Sequence, residues 1–170
     1  LVQVAVHVGA TVVGVTSSEA KAKLVREAGA DHVIVHGGRP EIIPDEVRRI
    51  GGGVGANVVY DSVGVATFDA SLASLRRRGT LVLLGQSSGP VPPFEITRLS
   101  AGSLTLIRPR LGDYLADREE LTWRAGDVFS WLREGVIDLD VNDPIPLAEA
   151  SRAHETLADR NRTGKLLLVP

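Results

Sequence analysis

The sequence predicts an α/β protein built on a doubly wound sheet of parallel strands with helices on both faces. Short apolar segments rich in Val, Leu and Ile alternate along the chain with longer segments of helical periodicity. The run Thr80-Leu81-Val82-Leu83-Leu84 is continuously apolar, which is typical of a parallel strand covered on both faces. Together these two observations favour a parallel sheet over an antiparallel one.

Residues 1–10 fit two structures. The valines at positions 2, 4, 6 and 8 alternate as in a buried strand, so the pattern alone favours a strand. A second apolar segment begins at Thr11, however, and a strand-helix-strand order needs a helix before it. We therefore expect a helix that ends at Gly9. Because the segment is already apolar and lacks an initiator Met, we also expect the chain to be part of a longer protein.

The remaining elements follow from caps and periodicity. Ser17 or Ser18 can cap a helix that ends at Gly29, and the amphipathic segment 118–133 predicts a long helix. The other predicted helices cover 41–50, 66–75 and 147–157. The predicted strands begin at Thr11 and then cover 31–35, 56–62, 80–84, 103–107 and 165–169.

Composition limits the class of protein. The 170 residues, 44% of them hydrophobic, suffice for one well-buried domain. A net charge of −2, from 19 basic and 21 acidic residues, gives no basic field for nucleic acid or for an anionic membrane. We see no membrane-span or signal-peptide pattern. The absence of cysteine removes disulfides and thiolate metal sites and fits a reducing compartment, so we expect a soluble cytoplasmic protein that binds no metal.

The most informative segment is Thr11–Lys21, a strand and turn that end without an acidic residue at the strand tip. In a nucleotide-binding α/β fold this tip meets the adenosine ribose, where an acid binds the 2′-hydroxyl and a cation accepts a 2′-phosphate. Ser17, Ser18 and Lys21 offer hydroxyls and an ammonium group, which favours NADPH. An exposed lysine on a helix face is the alternative for Lys21, and the carboxylate of Glu19 opposes a phosphate unless it points away.

A glycine-rich segment further along imitates a dinucleotide-binding loop. Residues 51–56, Gly-Gly-Gly-Val-Gly-Ala, fit the G-x-G-x-x-G/A spacing. The segment precedes a predicted strand, whereas the functional loop joins a strand to a helix. We therefore interpret it as a flexible turn.

Six segments carry a resemblance to a known family: VGVTSSEAK, EAGADHVI, VVYDSVG, LLGQSSGPVPPF, LTLIRPRLGDYLADREEL and PLAEASRAHETLADRNRTGKLLLVP. They resemble the cofactor domain of the quinone oxidoreductase (zeta-crystallin-like) branch of the medium-chain dehydrogenase/reductases. The resemblance covers essentially the whole chain. It implies a Rossmann-like domain of a two-domain enzyme, with the first strand, its Gly-rich pyrophosphate loop and the N-terminal catalytic domain absent from these residues. Residues 1–170 would then form one NAD(P)-binding domain.

The resemblance also implies which residues meet the cofactor. Ser62 and Val63 leave a strand at the carboxyl edge of the sheet, where ligands bind in such folds, and would contact adenine and ribose. Tyr60 and Asp61 are interpreted as structural, the first packed and the second bonded to backbone. The remaining implied contacts are Gly85, Gln86 and Ser87 beside the nicotinamide, His36 near the adenosine phosphate, and Arg160 near a phosphate or ribose. An exposed loop histidine and an exposed helix-end arginine are the alternatives for the last two.

Members of this branch pass hydride from NADPH to a quinone or enone-type substrate without zinc, and the resemblance implies the same here. We find no acid–base or nucleophile constellation, so the catalytic residues stay unknown and the isolated chain is expected to be inactive. The segment 103–108 resembles the edge through which family members form homodimers, so we expect a homodimer; a shielded edge in a monomer is the alternative. A non-catalytic, crystallin-like NADPH-binding module, an S-adenosylmethionine-dependent methyltransferase and a purely structural dimerisation domain are the alternatives.

Overall fold

The computed structural model describes residues 1–159 and 163–170. The chain divides into two compact units, Leu1–Ala125 and Gly126–Pro170. The helices and strands of the first unit are α1 (Val2–His7), β1 (Val13–Thr16), α2 (Glu19–Glu27), β2 (His32–Val35), α3 (Ile43–Ile50), β3 (Ala56–Asp61), α4 (Phe68–Ala73), β4 (Leu75–Leu83) and β5 (Thr105–Ile107). Helix α5 (Arg118–Arg133) begins in the first unit and ends in the second.

The second unit contains the end of α5 and three further elements. These are β6 (Ile145–Pro146), α6 (Ala150–Ala158) and β7 (Leu168–Val169). Strands β6 and β7 pair in parallel, and an isolated parallel bridge joins Val141 to Lys165. Ile145 of β6 and Ala153 of α6 are buried. This unit therefore has a small apolar centre of its own.

Every strand pairing in the first unit is parallel, as predicted. Strand β1 pairs with β2, so that Val13 lies opposite His32. Strand β4 lies between β3 and β5, with Tyr60 opposite Val82 and Thr80 opposite Thr105. Helix α2 connects β1 to β2, and helix α4 connects β3 to β4, because parallel neighbours need crossover connections. The prediction of an α/β fold with a parallel sheet is confirmed.

The strands of this unit form two sheets instead of one continuous sheet, β1–β2 and β3–β4–β5. In a Rossmann sheet of order 3-2-1-4-5-6, the first strand lies between the second and the fourth. Here β1 and β2 correspond to the second and third strands of that order, and β3, β4 and β5 to the fourth, fifth and sixth. Among the described residues no strand occupies the first position, and the sheet is interrupted there.

Two apolar clusters form the core of the first unit. Phe68 and Leu72 of α4 pack against Leu81 and Leu83 of β4, all of them buried. Phe94 adds an edge-on ring contact to Phe68, with 5.3 Å between the ring centroids. The second cluster joins Ile34 of β2 to Ile43 and Val47 of α3. These clusters hold the carboxyl ends of β2 and β4, where the candidate site lies.

Most predicted elements are present, but several boundaries differ. Residues 2–7 are helical, so the helix expected from the element order is confirmed and the strand favoured by alternation is wrong. Strand β4 begins at Leu75 and not at Thr80, because Leu75 pairs with Ala56 before the register shifts. Helix α4 is correspondingly shorter than predicted, and β5 and β7 are shorter than the predicted 103–107 and 165–169. Residues 51–53 of the glycine-rich segment form a turn that precedes β3, which agrees with our interpretation of a turn.

Within the described part of the chain, none of the helices is both long enough and apolar enough to cross a bilayer.

Candidate cofactor site

The carboxyl ends of β1 and β2 bring together the first group of predicted residues. The amide of His36 donates to the carbonyl of Thr16 at 2.9 Å, which extends the β1–β2 pairing into the following turns. Ser18 is the N-cap of α2 but makes no side-chain capping bond, so the expected capping hydrogen bond is absent while its position is as predicted. The end of β1, from which the chain continues into Ser17, Ser18 and α2, therefore lies beside the start of the turn that contains His36.

Charge at the start of α2 is mixed. Lys21 lies in the first turn and is half-buried. Glu19, the carboxylate that opposes a phosphate here, lies 3.6 Å from the guanidinium of Arg26. Both groups of this pair are largely exposed, so the attraction is weak and screened by salt. It offsets part of the negative charge of Glu19.

The tautomer of His36 follows from its hydrogen bond. Its Nδ1 accepts the amide proton of Gly38 at 3.2 Å. An accepting ring nitrogen carries no proton, so in the neutral ring Nε2 carries the proton and can donate. His36 is half-buried. The expectation that this imidazole donates or stacks is therefore compatible with its neutral form.

Asp61 organises the loop that follows β3. The side chain is buried, with 4% of its surface exposed. Its Oδ1 accepts the amides of Val63 at 2.8 Å and Gly64 at 3.0 Å. Its Oδ2 accepts the hydroxyls of Thr67 at 2.8 Å and Ser71 at 2.6 Å. A buried carboxylate with its oxygens occupied by donors fixes the backbone around it, and the prediction that Asp61 bonds to backbone is confirmed.

Tyr60 corrects another expectation. We interpreted it as a packed side chain, but 53% of its surface is exposed. Its neighbour Asp61 turns into the protein, so the alternation of a strand turns Tyr60 to the opposite face. In the described chain that face is open.

Two loops lie side by side at the carboxyl ends of β3 and β4. We call residues 62–67 the β3 loop and residues 84–89 the β4 loop; together they contain Ser62, Val63, Gly85, Gln86 and Ser87 of the predicted site. Backbone bonds run between them from Ser87 to the Ser62 carbonyl at 3.3 Å, from Ser88 to the Val63 carbonyl at 2.8 Å and from Val65 to the Gly89 carbonyl at 3.2 Å.

The hydroxyl of Ser88 adds two further bonds between these loops. It donates to the carbonyl of Val63 at 2.7 Å and accepts the amide of Ala66 at 3.0 Å. The loops also approach closely at two glycines. A Cβ on Gly64 would lie 2.6 Å from the Gly89 carbonyl oxygen, and a Cβ on Gly85 would lie 2.7 Å from that of Ser62. Only residues without a side chain permit this separation.

Arg108 stabilises the end of β4 from the other side. Its guanidinium Nη1 donates to the carbonyls of Leu83 and Leu84, each at 3.0 Å. These carbonyls lie where the strand pairing ends, and a guanidinium satisfies several acceptors at once. Arg108 therefore ties the segment after β5 to the start of the β4 loop.

One open groove lies elsewhere. It has a volume of about 290 Å³ and is lined by Asp69, Leu72, Ala73, Arg98, Ala101 and Leu104. None of these is a predicted cofactor residue. Its only charged groups are the ion pair of Asp69 and Arg98, at 2.7 Å. We assign no chemistry to this groove.

The structure thus divides the predicted residues into two groups, one around Ser17, Ser18, Lys21 and His36 and one in the two loops. Arg160 lies outside the described residues. Sequence reasoning missed Ser88 and Arg108. Nothing local marks a serine or an arginine whose partners lie about 25 residues away along the chain.

Comparison with known proteins identifies the family. The family model described as "Zinc-binding dehydrogenase" matches residues 1–126. The chain belongs to this family. A quinone oxidoreductase of Salmonella typhimurium is 44% identical over 165 residues, which cover 95% of this chain and 50% of that protein. The resemblance to the quinone oxidoreductase branch is confirmed.

Two further relatives extend the comparison. A mycobacterial protein solved in complex with NADPH is 44% identical, with a TM-score of 0.92 over 100% of this chain and 53% of its own. A 2-haloacrylate reductase of Burkholderia is 36% identical over 166 residues, 96% of this chain and 49% of that protein. The chain therefore spans about half the length of the curated relatives that it matches. Its fold is the Rossmann-like fold of these relatives.

The family name raises the question of zinc. The sequence contains no cysteine, and the described residues contain no group of three or more His, Cys, Asp or Glu that could hold a metal ion. Zinc sites in proteins are built from such groups. The described residues therefore do not fit a zinc site, and we derive no step through a metal.

Proposed function

We propose that this chain is the NADPH-binding domain of a zinc-independent oxidoreductase that transfers hydride from NADPH to a quinone or an enone-type carbonyl substrate. The observation that carries the proposal is the end of β1, where two serines and the half-buried Lys21 follow the strand and no acid occupies its tip. The relative solved with NADPH supports the cofactor. The quinone oxidoreductase and the 2-haloacrylate reductase support an electron-poor, unsaturated substrate.

The chain's own residues would bind and orient the cofactor. Hydroxyls of Ser17 and Ser18 and the ammonium of Lys21 would hold the 2′-phosphate, since cations and hydroxyl donors both pair with phosphate oxygens. His36 would donate from Nε2 or stack nearby. The β3 loop would meet adenine and ribose through Ser62 and Val63.

The β4 loop would present backbone groups of Gly85, Gln86 and Ser87 to the nicotinamide carboxamide. When bound, NADPH supplies the hydride, and the protein supplies orientation and exclusion of water. We assign no general acid or base to this chain. The residues that select the substrate would belong to the remaining half of the protein, so we predict that the chain alone does not reduce quinones.

The preference for NADPH is tested by calorimetric titration of the chain with NADPH and NADH. Lys21→Ala should remove most of the preference, because loss of one cation beside a phosphate costs about 1–2 kcal/mol, or about tenfold in affinity. Lys23→Ala is the matched control, since Lys23 is an exposed residue of the same helix and lies 3.7 Å from Glu27. Equal binding of both nucleotides by the unaltered chain would contradict the proposal.

Turnover by the complete protein separates an enzyme from a binding module. We expect NADPH-dependent reduction of a model quinone. Tight NADPH binding without turnover of quinones or enones would instead indicate the non-catalytic, crystallin-like alternative.

We also propose that the protein forms a homodimer through residues 103–108 and is cytoplasmic. Among the described strands, β5 pairs only with β4, and a free strand edge is usually paired or protected. Ile107→Lys should convert a dimer to a monomer in sedimentation velocity, and a monomeric unaltered protein would contradict the proposed homodimer.

The absence of cysteine fits a reducing compartment such as the cytoplasm, and cell fractionation tests this proposed location.

A further inference from the structure

The β3 and β4 loops differ in how they are held. The β3 loop is held by the last residue of β3, because the Asp61 carboxylate accepts the amides of Val63 and Gly64 and the hydroxyl of Thr67. Within the β4 loop, the amide of Gly89 donates to the Gln86 carbonyl at 2.9 Å. The amides of Leu84 and Gly85 donate to the Asp61 carbonyl at the end of β3. Those of Ser87 and Ser88 donate to carbonyls of the β3 loop.

Ser88 makes three bonds to the β3 loop. Its amide and its hydroxyl both donate to the carbonyl of Val63, and its hydroxyl also accepts the amide of Ala66. One side chain thus satisfies a donor and an acceptor on the opposite loop. The amide of Val63 donates to Asp61, so the residue to which Ser88 binds has a hydrogen bond of its own to β3.

We propose that Ser88 fastens the β4 loop onto a β3 loop that Asp61 holds independently, and that Ser88 is therefore a positioning residue for Gly85, Gln86 and Ser87. The position of the β4 loop then depends on the β3 loop, but the position of the β3 loop does not depend on the β4 loop. Loss of Ser88 releases the β4 loop and leaves the β3 loop in place, whereas loss of Asp61 disturbs both. That the positioned residues meet a nicotinamide rests on the proposed function; the fastening itself does not.

Amide hydrogen exchange of the unliganded chain, resolved by residue, tests the fastening. In Ser88→Ala we expect exchange at Ser87 and at residue 88 to accelerate about tenfold, as expected for loss of hydrogen bonds worth about 1.4 kcal/mol. The Ala66 amide also loses its acceptor and should exchange faster, but exchange at Val63 and Gly64, whose amides bond to Asp61, should change less than twofold. Asp61→Ala, which removes the acceptor of the Val63 and Gly64 amides, should accelerate exchange in both loops.

Two control variants complete this experiment. Ser100→Ala removes an exposed hydroxyl from a 3₁₀ turn and should leave both loops unchanged. Ser88→Thr keeps the hydroxyl and should restore protection. In Ser88→Ala, acceleration at Val63 and Gly64 equal to that at residues 87 and 88, or no acceleration at any of these four residues, would overturn the proposal.

Ligand binding tests the positioning role. NADPH should bind Ser88→Ala about five- to tenfold more weakly, whereas 2′,5′-ADP, which lacks a nicotinamide, should bind within twofold of the unaltered chain. Equal weakening of both ligands would mean that Ser88 only supports the fold and would refute positioning. If the unaltered chain binds neither ligand, the proposed function fails, while the exchange experiment still decides whether Ser88 fastens the loops.

Discussion

Replacement of Asp61 by Ala should destabilise the protein more than any change to a surface carboxylate. The substitution removes the acceptor of two backbone amides and two hydroxyls from a site that is 4% exposed. Each buried amide left without a partner costs about 1–3 kcal/mol, while the hydroxyls of Thr67 and Ser71 can rotate toward other acceptors. We therefore expect a loss of about 4 kcal/mol in the free energy of unfolding, most of it from the two amides.

Asp61→Asn should have a smaller effect. The amide oxygen can still accept the amides of Val63 and Gly64, and the hydroxyls can turn to accept from the new NH₂ group. Only the charge assistance is lost, so we expect a loss of about 1–2 kcal/mol.

Urea denaturation followed by circular dichroism measures these differences. In thermal unfolding of a chain of this length, a loss of about 4 kcal/mol in the free energy of unfolding lowers Tm by about 8–16 °C. Asp69→Ala is the control, because this carboxylate is 79% exposed and bonds only at the surface, to Arg98; it should cost less than about 1 kcal/mol. If Asp61→Ala were no more destabilising than Asp69→Ala, the reasoning about the buried network would be refuted.

Two further substitutions test the packing around the site. Leu81→Ala should lower the free energy of unfolding by about 3 kcal/mol, since Leu81 is fully buried in the core. Leu84→Ala, at a half-exposed residue, should lower it by less than about 1 kcal/mol. Similar losses for the two variants in urea denaturation would contradict the assignment of Leu81 to the core. Gly64→Ala should destabilise by at least about 2 kcal/mol, because its φ is +94° and the new Cβ would lie 2.6 Å from the Gly89 carbonyl oxygen. Gly112→Ala, with nothing within 4 Å, should be nearly neutral in the same assay.

The parts of the fold predicted best were those with strong local signals. Helix α5 has the predicted bounds of 118–133, and it extends over more than four turns. The start of β4 was missed because residues 76–78 are three arginines followed by Gly79, a sequence typical of a loop. Pairing of Leu75 with Ala56 determines that boundary, and local patterns contain no information about a distant partner.

The candidate site was predicted only in part, because local patterns contain no information about contacts between distant parts of the chain. The ends of strands can be recognised from the sequence, so Ser17, Ser18, Ser62 and Gly85 were placed at carboxyl ends correctly; their cofactor contacts stay predictions. The interruption of the sheet beside β1 and the exposure of Tyr60 depend on which strands are neighbours. The bonds of Ser88 depend on the close approach of two loops, which no periodicity encodes.

The measurement that tests the central claim most directly is the paired calorimetric titration of the unaltered chain and Lys21→Ala with NADPH and NADH. The account predicts that the unaltered chain prefers NADPH and that the substitution removes most of this preference while NADH binding stays unchanged. A chain that binds NADH as tightly as NADPH, or a preference that survives loss of Lys21, would contradict the assignment of the 2′-phosphate site to the end of β1.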